Sequence, residues 1–381
     1  MRHIKIERKN LNDICTMVFL YAMQLHFWLA GVEFENHSIT EMFRTSCFAV
    51  ALVVVGVKWI FNRTVVGKKF LAYSIVTILV MYEAYVSSGL TVIKMLLFGL
   101  IVKDTPYRKV ARYFSQINVF IFLFVFSLIW LGKIPNRIFI DNGERYYYMG
   151  FGNPNTAAML YLVILLTITS MRMYSLNIGH FIAIVVMSAV MYTLTGSRSM
   201  LIVTVIYFIL IFVERYFSFI KRISRKNAFK VIMYSLFLVL TGLSFFLAKL
   251  YSTSRIVQSL NILFSWRFYL WHRFVSDEKI SLLGINMEDN IYTIDNGYLI
   301  LLVGYGIIVW LIYMGINFYL INSALKNGQI EILILTIIYM IYLFVEQYPI
   351  MINTNLALLY FLCVFWQNSK LGKENLRKCI T

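Results

Sequence analysis

The chain has 381 residues, of which 60% are hydrophobic and only 14% charged, a composition far from that of a soluble domain. A formal net charge of +17 raises nucleic acid as a partner, but most basic residues lie in short segments between apolar runs, where membrane topology and anionic lipid headgroups explain them. No nucleic-acid partner is therefore expected. The four cysteines show no metal spacing, and neither a disulfide nor a metal site is expected.

Twelve apolar runs follow one another along the chain, and we interpret each as a membrane-spanning helix. Helices of about 17–25 apolar residues cross a bilayer, and the shorter runs here require tilt or local thinning of the membrane. The runs cover roughly residues 14–31, 43–61, 70–87, 89–102, 114–131, 154–171, 180–195, 199–213, 231–250, 297–321, 330–345 and 355–367.

The lysines and arginines indicate the orientation of these spans. With the N-terminus in the cytoplasm, 24 of the 35 Lys and Arg lie in cytoplasmic segments and 10 in outer segments, with Lys94 inside a span. This asymmetry is the positive-inside pattern. The sequence predicts an all-α integral membrane protein, with residues 1–381 as a single polytopic membrane domain. It has about 12 transmembrane helices, both termini cytoplasmic, and one long outer loop, residues 251–297, between spans 9 and 10.

The segment before the sixth span is rich in tyrosine and faces outward. Asn153 is a good helix N-cap, and Pro154 suits the first helical turn. The tyrosines at 146–148 are typical of an interfacial aromatic belt, which we favour. The alternative is a sugar-binding surface on which aromatic rings stack against pyranose rings.

Arg198 lies in the sequence Thr-Gly-Ser-Arg-Ser, a tight outer turn between the seventh and eighth spans. A tight turn needs small residues but no arginine, and a cation at a helix N-terminus opposes the helix dipole. A bound phosphate would reverse this balance, because backbone N–H groups, the dipole and the guanidinium would face one anion. We favour anion binding over the alternative of an arginine that snorkels to the water layer.

The long outer loop holds most of the charged side chains of the outer face. Residues 265–274 predict an amphipathic helix lying on the membrane. Arg255, Arg267 and Arg273 either bind phosphate or form a solvated face against lipid headgroups. A lone histidine such as His272 is more often an interfacial residue than a base.

The loop ends in Asp295-Asn296-Gly297, at the start of the tenth span. This sequence predicts a helix cap, and capping does not exclude catalysis by the same residues. Because the helix dipole favours the ionised carboxylate, Asp295 is expected to be charged at neutral pH and able to accept a proton.

Three features of the outer face occur together and in a fixed order. They are Gly-Phe-Gly-Asn-Pro-Asn-Thr-Ala-Ala at 150–158, the Thr-Gly-Ser-Arg-Ser turn, and Asp-Asn-Gly-Tyr-Leu at 295–299 with Gly304 and Gly306 after it. Over about residues 150–310 the chain thereby resembles the Wzy-type polysaccharide polymerases, of the superfamily that also contains the O-antigen ligases. Arg267, Trp271 and Leu283-Gly284 are similar to the arginine, tryptophan and glycine pattern found there.

One departure from the family bears on the choice of base. The ligase branch usually has a His-Asn pair where this chain has Asp295-Asn296, which argues against a ligase. Asp295 is the first candidate for the base and His272 the second. The remaining candidates are Glu288, Asp289 and Glu346.

The resemblance implies a reaction and a set of partners. A glycan on polyprenyl diphosphate would be transferred to a sugar hydroxyl of another lipid-linked unit at the outer face of the cell membrane, without metal or cofactor. Arginines would stabilise the leaving diphosphate. Flippase and chain-length regulator proteins are the implied partners, beside membrane lipids. The substrate-binding candidates are Arg198, Arg267, Arg273, Arg255, Asn153 and Asn155.

Two alternatives stay open: an O-antigen ligase-like transferase, and a transporter or flippase of lipid-linked sugars. A flippase would line its path with charge, and the sequence offers Glu83 and Lys94, which could pair with each other. The charge-rich outer loop favours chemistry at the surface.

Overall fold

The computed structural model describes residues 2–34, 37–62, 91–103, 105–141, 143–286 and 294–367. These residues are mostly helical; two strands form an antiparallel hairpin, and an isolated bridge pairs Val32 with Phe151. The helices are α1 Arg2–Trp28, α2 His37–Asn62, α3 Thr91–Val102, α4 Tyr107–Trp130, α5 Pro154–Met171, α6 Ile178–Thr195, α7 Arg198–Phe217, α8 Phe219–Ile223, α9 Asn227–Leu250, α10 Arg255–Leu263, α11 Arg267–Asp277, α12 Gly297–Leu299, α13 Gly306–Asn327, α14 Ile330–Val345 and α15 Leu356–Gln367. The strands are β1 Ile138–Asp141 and β2 Glu144–Tyr147.

Eight of the described helices are long and apolar enough to cross a membrane, and they confirm the predicted class, a helical multi-pass membrane protein. Two shorter apolar helices follow at Ile330–Val345 and Leu356–Phe365. The predicted runs 154–171 and 330–345 coincide with α5 and α14. The run 70–87, with Glu83, lies outside the described residues. The eight helices occupy Asn10–Gly31, His37–Lys58, Tyr107–Trp130, Pro154–Met171, Ile178–Thr195, Arg198–Phe217, Asn227–Leu250 and Gly306–Asn327.

The side chains of α6 show why lipid suits these helices. Ile182, Val186 and Val190, four residues apart, are 59%, 54% and 45% exposed, whereas Ile184 and Met191 are buried. One stripe of the helix therefore packs inside the protein while the other presents bare aliphatic side chains. Such a stripe is unfavourable in water and matches the hydrocarbon interior of a bilayer.

The chain packs as two compact units. The first takes the described parts of residues 1–65, 97–215 and 358–381. Within it, α1 packs against α2 and α4, α4 against α5, and α5 against α6. The buried indole of Trp28 donates to Gln24 Oε1 (2.9 Å) and Asn118 Oδ1 (2.8 Å), so its polar atom is satisfied between α1 and α4.

The second unit takes the described parts of residues 66–96 and 216–357. Here α9 packs against α11, α13 and α14, and α12 packs against α9 and α14. This unit contains the described parts of the long loop 251–297 and the end of α14, and therefore holds the candidate bases Asp295, His272 and Glu346.

The tenth predicted span is not one continuous helix. After the single turn of α12, residues Ile300–Gly304 form a π-helical segment, with Tyr305 N–H donating to Ile300 O (2.8 Å), and α13 begins only at Gly306, where φ is +88°. The prediction of a helix over 297–321 was wrong in this respect. An apolar run fixes where a span lies but not whether its hydrogen-bond ladder is interrupted.

A segment of the long loop, residues 281–285, docks on this break, and we call it the clasp. Ile307 N–H donates to Ser281 O (3.0 Å), Ile308 N–H to Leu282 O (3.3 Å) and Ile285 N–H to Gly304 O (2.9 Å). These bonds satisfy backbone groups that the break would otherwise leave without partners.

Two glycines make this docking possible. A Cβ on Gly284 would stand 2.2 Å from Gly304 O, and one on Gly306 would stand 2.4 Å from Gly284 N. Both residues also have positive φ, +86° and +88°, which side-chain-bearing residues rarely adopt. The glycines that carried part of the family resemblance are thus required by backbone-to-backbone contact.

Candidate functional site

Helix α11 carries Arg267 into the second unit. Its buried side chains Phe268, Trp271 and Phe274 recur at helical spacing and pack into a core cluster that includes Ala248 and Ile300. The predicted amphipathic helix is present, but its apolar face is covered by the protein, so lipid is not needed to explain the pattern. Because Arg267 stands four residues before Trp271, it shares this inward face.

Arg267 joins two carboxylates in the second unit. Its Nη2 lies 2.7 Å from Glu346 Oε1 and 3.3 Å from Asp295 Oδ2, and Nη1 donates to the carbonyl of Val345 at 2.5 Å. The Glu346 side chain is 2% exposed and that of Arg267 12%, whereas Asp295 keeps 31% of its surface open. Asp295 is therefore the member of this trio that a substrate can reach.

The electrostatics of the trio set Asp295 apart. Burial raises the pKa of the Asp295 carboxyl above its ordinary range, and the neighbouring Arg267 opposes that rise. For Arg267, burial lowers the pKa, but Glu346 and Asp295 outweigh it, so the guanidinium is held in its charged form. The carboxylate is thus a stronger base than a solvated aspartate, next to a fixed cation.

This geometry changes the role expected for Arg267. As a candidate phosphate ligand it should present free donors, but both Nη atoms are engaged with protein oxygens and one cation already faces two carboxylates. In this arrangement Arg267 positions Asp295. Glu346, considered as a base, is too deeply buried to meet a substrate and instead holds Arg267.

The helix cap at the end of the loop belongs to Asn296, not to Asp295. Asn296 is fully buried, its Oδ1 accepts from Leu299 N–H (3.0 Å), and its Nδ2 donates to Ser244 Oγ (3.0 Å) and Phe344 O (3.1 Å). The predicted cap is confirmed, but the dipole argument for Asp295 is replaced by its contact with Arg267. Asp295 does not cap the helix.

His272 lies on the same helix as Arg267 and is half-buried. Its Nδ1 is 3.0 Å from Ala248 O, and its ring packs near that of Tyr251. A carbonyl oxygen only accepts, so Nδ1 carries the proton and the lone pair of the neutral ring is on Nε2. His272 is thus a fixed ring with one basic nitrogen, and it stays the second candidate base.

The other two loop arginines lie at the surface. Arg273 is exposed, with Nε 3.5 Å from Asp277 Oδ2 and Nη1 3.3 Å from Tyr269 Oη. Arg255 is exposed at the start of α10, where Ser254 is the N-cap. Their exposure is compatible with both predicted roles, a solvated face and phosphate binding.

The turn that carries Arg198 belongs to the first unit. Gly196 ends α6 with φ +65°, and a Cβ there would stand 2.6 Å from the ring of Tyr146, which packs directly against it. Arg198 is exposed as the first residue of α7. The exposed guanidinium and the helix N-terminus therefore occur together, as the anion-binding prediction requires.

Tyr146 connects this turn to the hairpin. Its hydroxyl donates a short hydrogen bond to Glu144, which is the main reason that its pKa is raised to about 12, while Arg198 acts to lower it. Tyr146 is therefore a packing residue of the turn, and its ring does not stand free as a sugar platform.

Asn153 and Asn155 form the predicted helix cap at the start of α5. Asn153 is the N-cap of α5, with its Oδ1 accepting from Asn155 N–H at 2.8 Å, and Pro154 occupies the first turn. The side chain of Asn153 is exposed, so capping leaves room for the substrate contact that the resemblance implies.

Glu288 and Asp289, two of the predicted candidate bases, lie outside the described residues. Among the described residues no group of three or more His, Cys, Asp and Glu side chains is placed to hold a metal ion.

The sequence signal for Glu346 was an acid directly after the apolar run 330–345. Its pairing with Arg267 spans 79 positions and therefore leaves no local pattern in the sequence.

Comparisons with family models, with curated proteins and with solved structures find no match. The function must therefore be argued from the residues. The second unit offers a reachable carboxylate of raised pKa beside a buried arginine, and the first offers an exposed arginine at a helix start. The former can accept a proton and the latter can bind an anion.

Proposed function

We propose that the chain polymerises lipid-linked oligosaccharide repeat units at the outer face of the cell membrane. A growing glycan on polyprenyl diphosphate would be the donor, and a sugar hydroxyl of another lipid-linked unit the acceptor. The observation that carries the proposal is the Asp295 carboxylate: 31% exposed, 3.3 Å from the buried Arg267, and placed at the motif that resembles the polymerases.

Asp295 supplies the base of the proposed reaction. It takes the proton of the acceptor hydroxyl as the oxygen forms a bond to the anomeric carbon of the donor sugar. Burial keeps its pKa above that of a solvated aspartate, which strengthens it as a base, and Arg267 keeps it oriented. Glu346 and Val345 hold Arg267 in turn, and thus preorganise the site.

The bond from the anomeric carbon to the diphosphate oxygen breaks in the same step, and polyprenyl diphosphate leaves. Its charge needs a cation, and the candidates are Arg198, by its Thr-Gly-Ser-Arg-Ser motif, and the exposed Arg255 and Arg273 of the unit that holds Asp295. The proton on Asp295 then passes to water. No metal or nucleotide takes part, since the diphosphate is a competent leaving group once its charge is stabilised.

The proposal includes twelve crossings with both termini cytoplasmic and the long loop outside. Lys279 and Arg225 make a matched pair for a test, because both are exposed basic residues, placed in the long loop and in the segment between α7 and α9. In a cysteine-free background, Lys279→Cys should react with an impermeant thiol reagent on intact cells and Arg225→Cys should not. Labelling of both, or the reverse pattern, contradicts this topology.

The experiment that tests the function deletes the gene and resolves the surface glycan by size. A polymerase mutant leaves single repeat units, whereas a flippase mutant leaves little glycan outside and a ligase mutant leaves long unattached chains. Restoration of long chains by the wild-type gene, but not by Asp295→Asn, would attach the activity to this site. Long chains in the deletion strain would refute the proposal.

A further inference from the structure

The hairpin β1–β2 exposes an unusual amount of apolar surface. Ile138, Phe139 and Ile140 are consecutive, and they are 50%, 47% and 63% exposed. Consecutive side chains of a strand point to opposite faces, so both faces of β1 are apolar and open. At the far end of the hairpin, Glu144 and Arg145 are exposed and charged.

Two connections to membrane-spanning helices place the hairpin at the level where the spans end. Its base follows α4, whose last residue, Trp130, is 83% exposed, and Leu131 after it is 59% exposed. Tyr146 on β2 packs against Gly196, between the end of α6 and the start of α7. Phe139 is the register partner of Tyr146, so it lies at that same level.

We propose that the base of this hairpin is inserted in the interfacial layer of the lipid bilayer, with its charged tip in water. The partner is therefore the membrane itself. Exposed Trp, Ile and Phe side chains at the end of a span match the headgroup–acyl boundary, where aromatic and aliphatic groups leave water while charged groups stay hydrated.

The mixture of side chains at the base of the hairpin favours lipid over a second protein as the partner. Trp130 and Leu131 and the first three residues of β1 are apolar and exposed, and the exposed Lys133 and Arg137 between them are basic. Apolar and basic side chains at one level match the boundary between acyl chains and headgroups, because long basic side chains reach the phosphate layer from there. Arg145, the register partner of Ile140, is placed to reach the phosphate layer while Ile140 stays below it.

The inference is independent of the proposed reaction, and its test needs no activity. The native cysteines are replaced, and a spin label is attached to Ile138→Cys at the base, Glu144→Cys at the tip and Val186→Cys on the exposed stripe of α6. The protein is reconstituted in nanodiscs that hold one copy each. Power saturation then compares access of oxygen, which concentrates in lipid, with access of a nickel chelate, which stays in water.

The expected oxygen-to-nickel ratio at Ile138 approaches that at Val186 and is at least about three times the ratio at Glu144, for an insertion of roughly 5–10 Å. Equal ratios at Ile138 and Glu144 overturn the proposal, because the base and the tip of the hairpin would then lie in the same environment. Exclusion of both reagents from Ile138 also overturns it and shows a protein surface as the cover.

Discussion

The sequence predicts the same role, phosphate binding, for Arg198 and Arg267, but the two arginines have different surroundings in the structure. Arg198 is exposed at the start of α7, beside a glycine turn. Arg267 is 12% exposed and contacts Glu346, Asp295 and a backbone carbonyl. The first can receive an anion from outside, whereas the second is already surrounded by the protein's own oxygens.

This difference shows that residue type alone does not determine what an arginine binds. A guanidinium whose N–H donors already bond to protein oxygens has few donors left for a ligand. Its role is to hold those protein groups in position. A guanidinium exposed at the surface, such as that of Arg198, is accessible to an anion from solution, and surface side chains contribute little to stability. Substitution of Arg267 should therefore lower the stability of the fold, whereas substitution of Arg198 should lower activity and leave stability unchanged.

The largest effect is expected from Arg267→Ala. Removing it leaves Glu346 buried without this partner, and breaking a buried ion pair from one side costs about 3–5 kcal/mol. The variant should lose most of its folded yield, measured by fluorescence size-exclusion after heating in detergent. Arg198→Ala is the matched control and should stay within about 0.5 kcal/mol of wild type, as surface substitutions do. Equal losses in both variants would remove the distinction between the two arginines.

Asp295→Asn should cost about 10²–10⁴ in rate, the usual contribution of a positioned acid–base group. The fold should survive, because Asn296 is the cap and an amide still accepts from Arg267. The measurement is polymer formation from purified lipid-linked units. His272→Gln should cost less. If His272→Gln is inactive while Asp295→Asn keeps a near-normal rate, the base is His272; two active variants place it elsewhere.

Arg198→Ala should lower chain growth by about 10²–10³, as expected for removal of one donor to a developing oxyanion. Insertion in the membrane should be unchanged, since the side chain is exposed. Arg198→Lys should restore only part of the rate, because a point charge cannot replace the bidentate fork. Normal polymer from the alanine variant would exclude this arginine from the reaction.

The smallest effect is a shift in pH dependence from Glu346→Gln. Activity needs ionised Asp295, so it should fall as the pH drops through the pKa of that group, which burial has raised. Replacing Glu346 leaves Arg267 with one fewer negative neighbour, so Asp295 is held more strongly in its ionised form. The acid limb of the rate profile should therefore move to lower pH, by about one unit or less. A shift to higher pH would mean that Glu346 supports the ionised form.

Patterns that are local in the sequence predicted the structure well. The spans follow from hydropathy, and the caps at Asn153 and Asn296 follow from residue type at a helix start. The hairpin was missed although its signal is local: Asn142-Gly143 stands between Ile-Phe-Ile and Arg-Tyr-Tyr, and Asn-Gly between strand-forming residues favours a two-residue turn.

Features that depend on distant contacts could not be predicted in this way. The break before α13 lies in an apolar run that hydropathy cannot distinguish from an intact span, and its backbone groups bond to the clasp 19 to 26 residues upstream. The Arg267–Glu346 pair joins two apolar segments across 79 positions. Arg267 and Asp295 were each named as site residues, but only packing brings them to 3.3 Å.

The clasp makes one stretch of a loop part of the hydrogen bonding of an apolar helix. The first N–H groups of α13 are bonded to Ser281 and Leu282, and in apolar surroundings each would cost several kcal/mol if released. A protease that cuts after the exposed Lys279 should therefore nick the chain without loosening it. The two fragments should migrate as one particle until detergent strong enough to unfold the helices separates them.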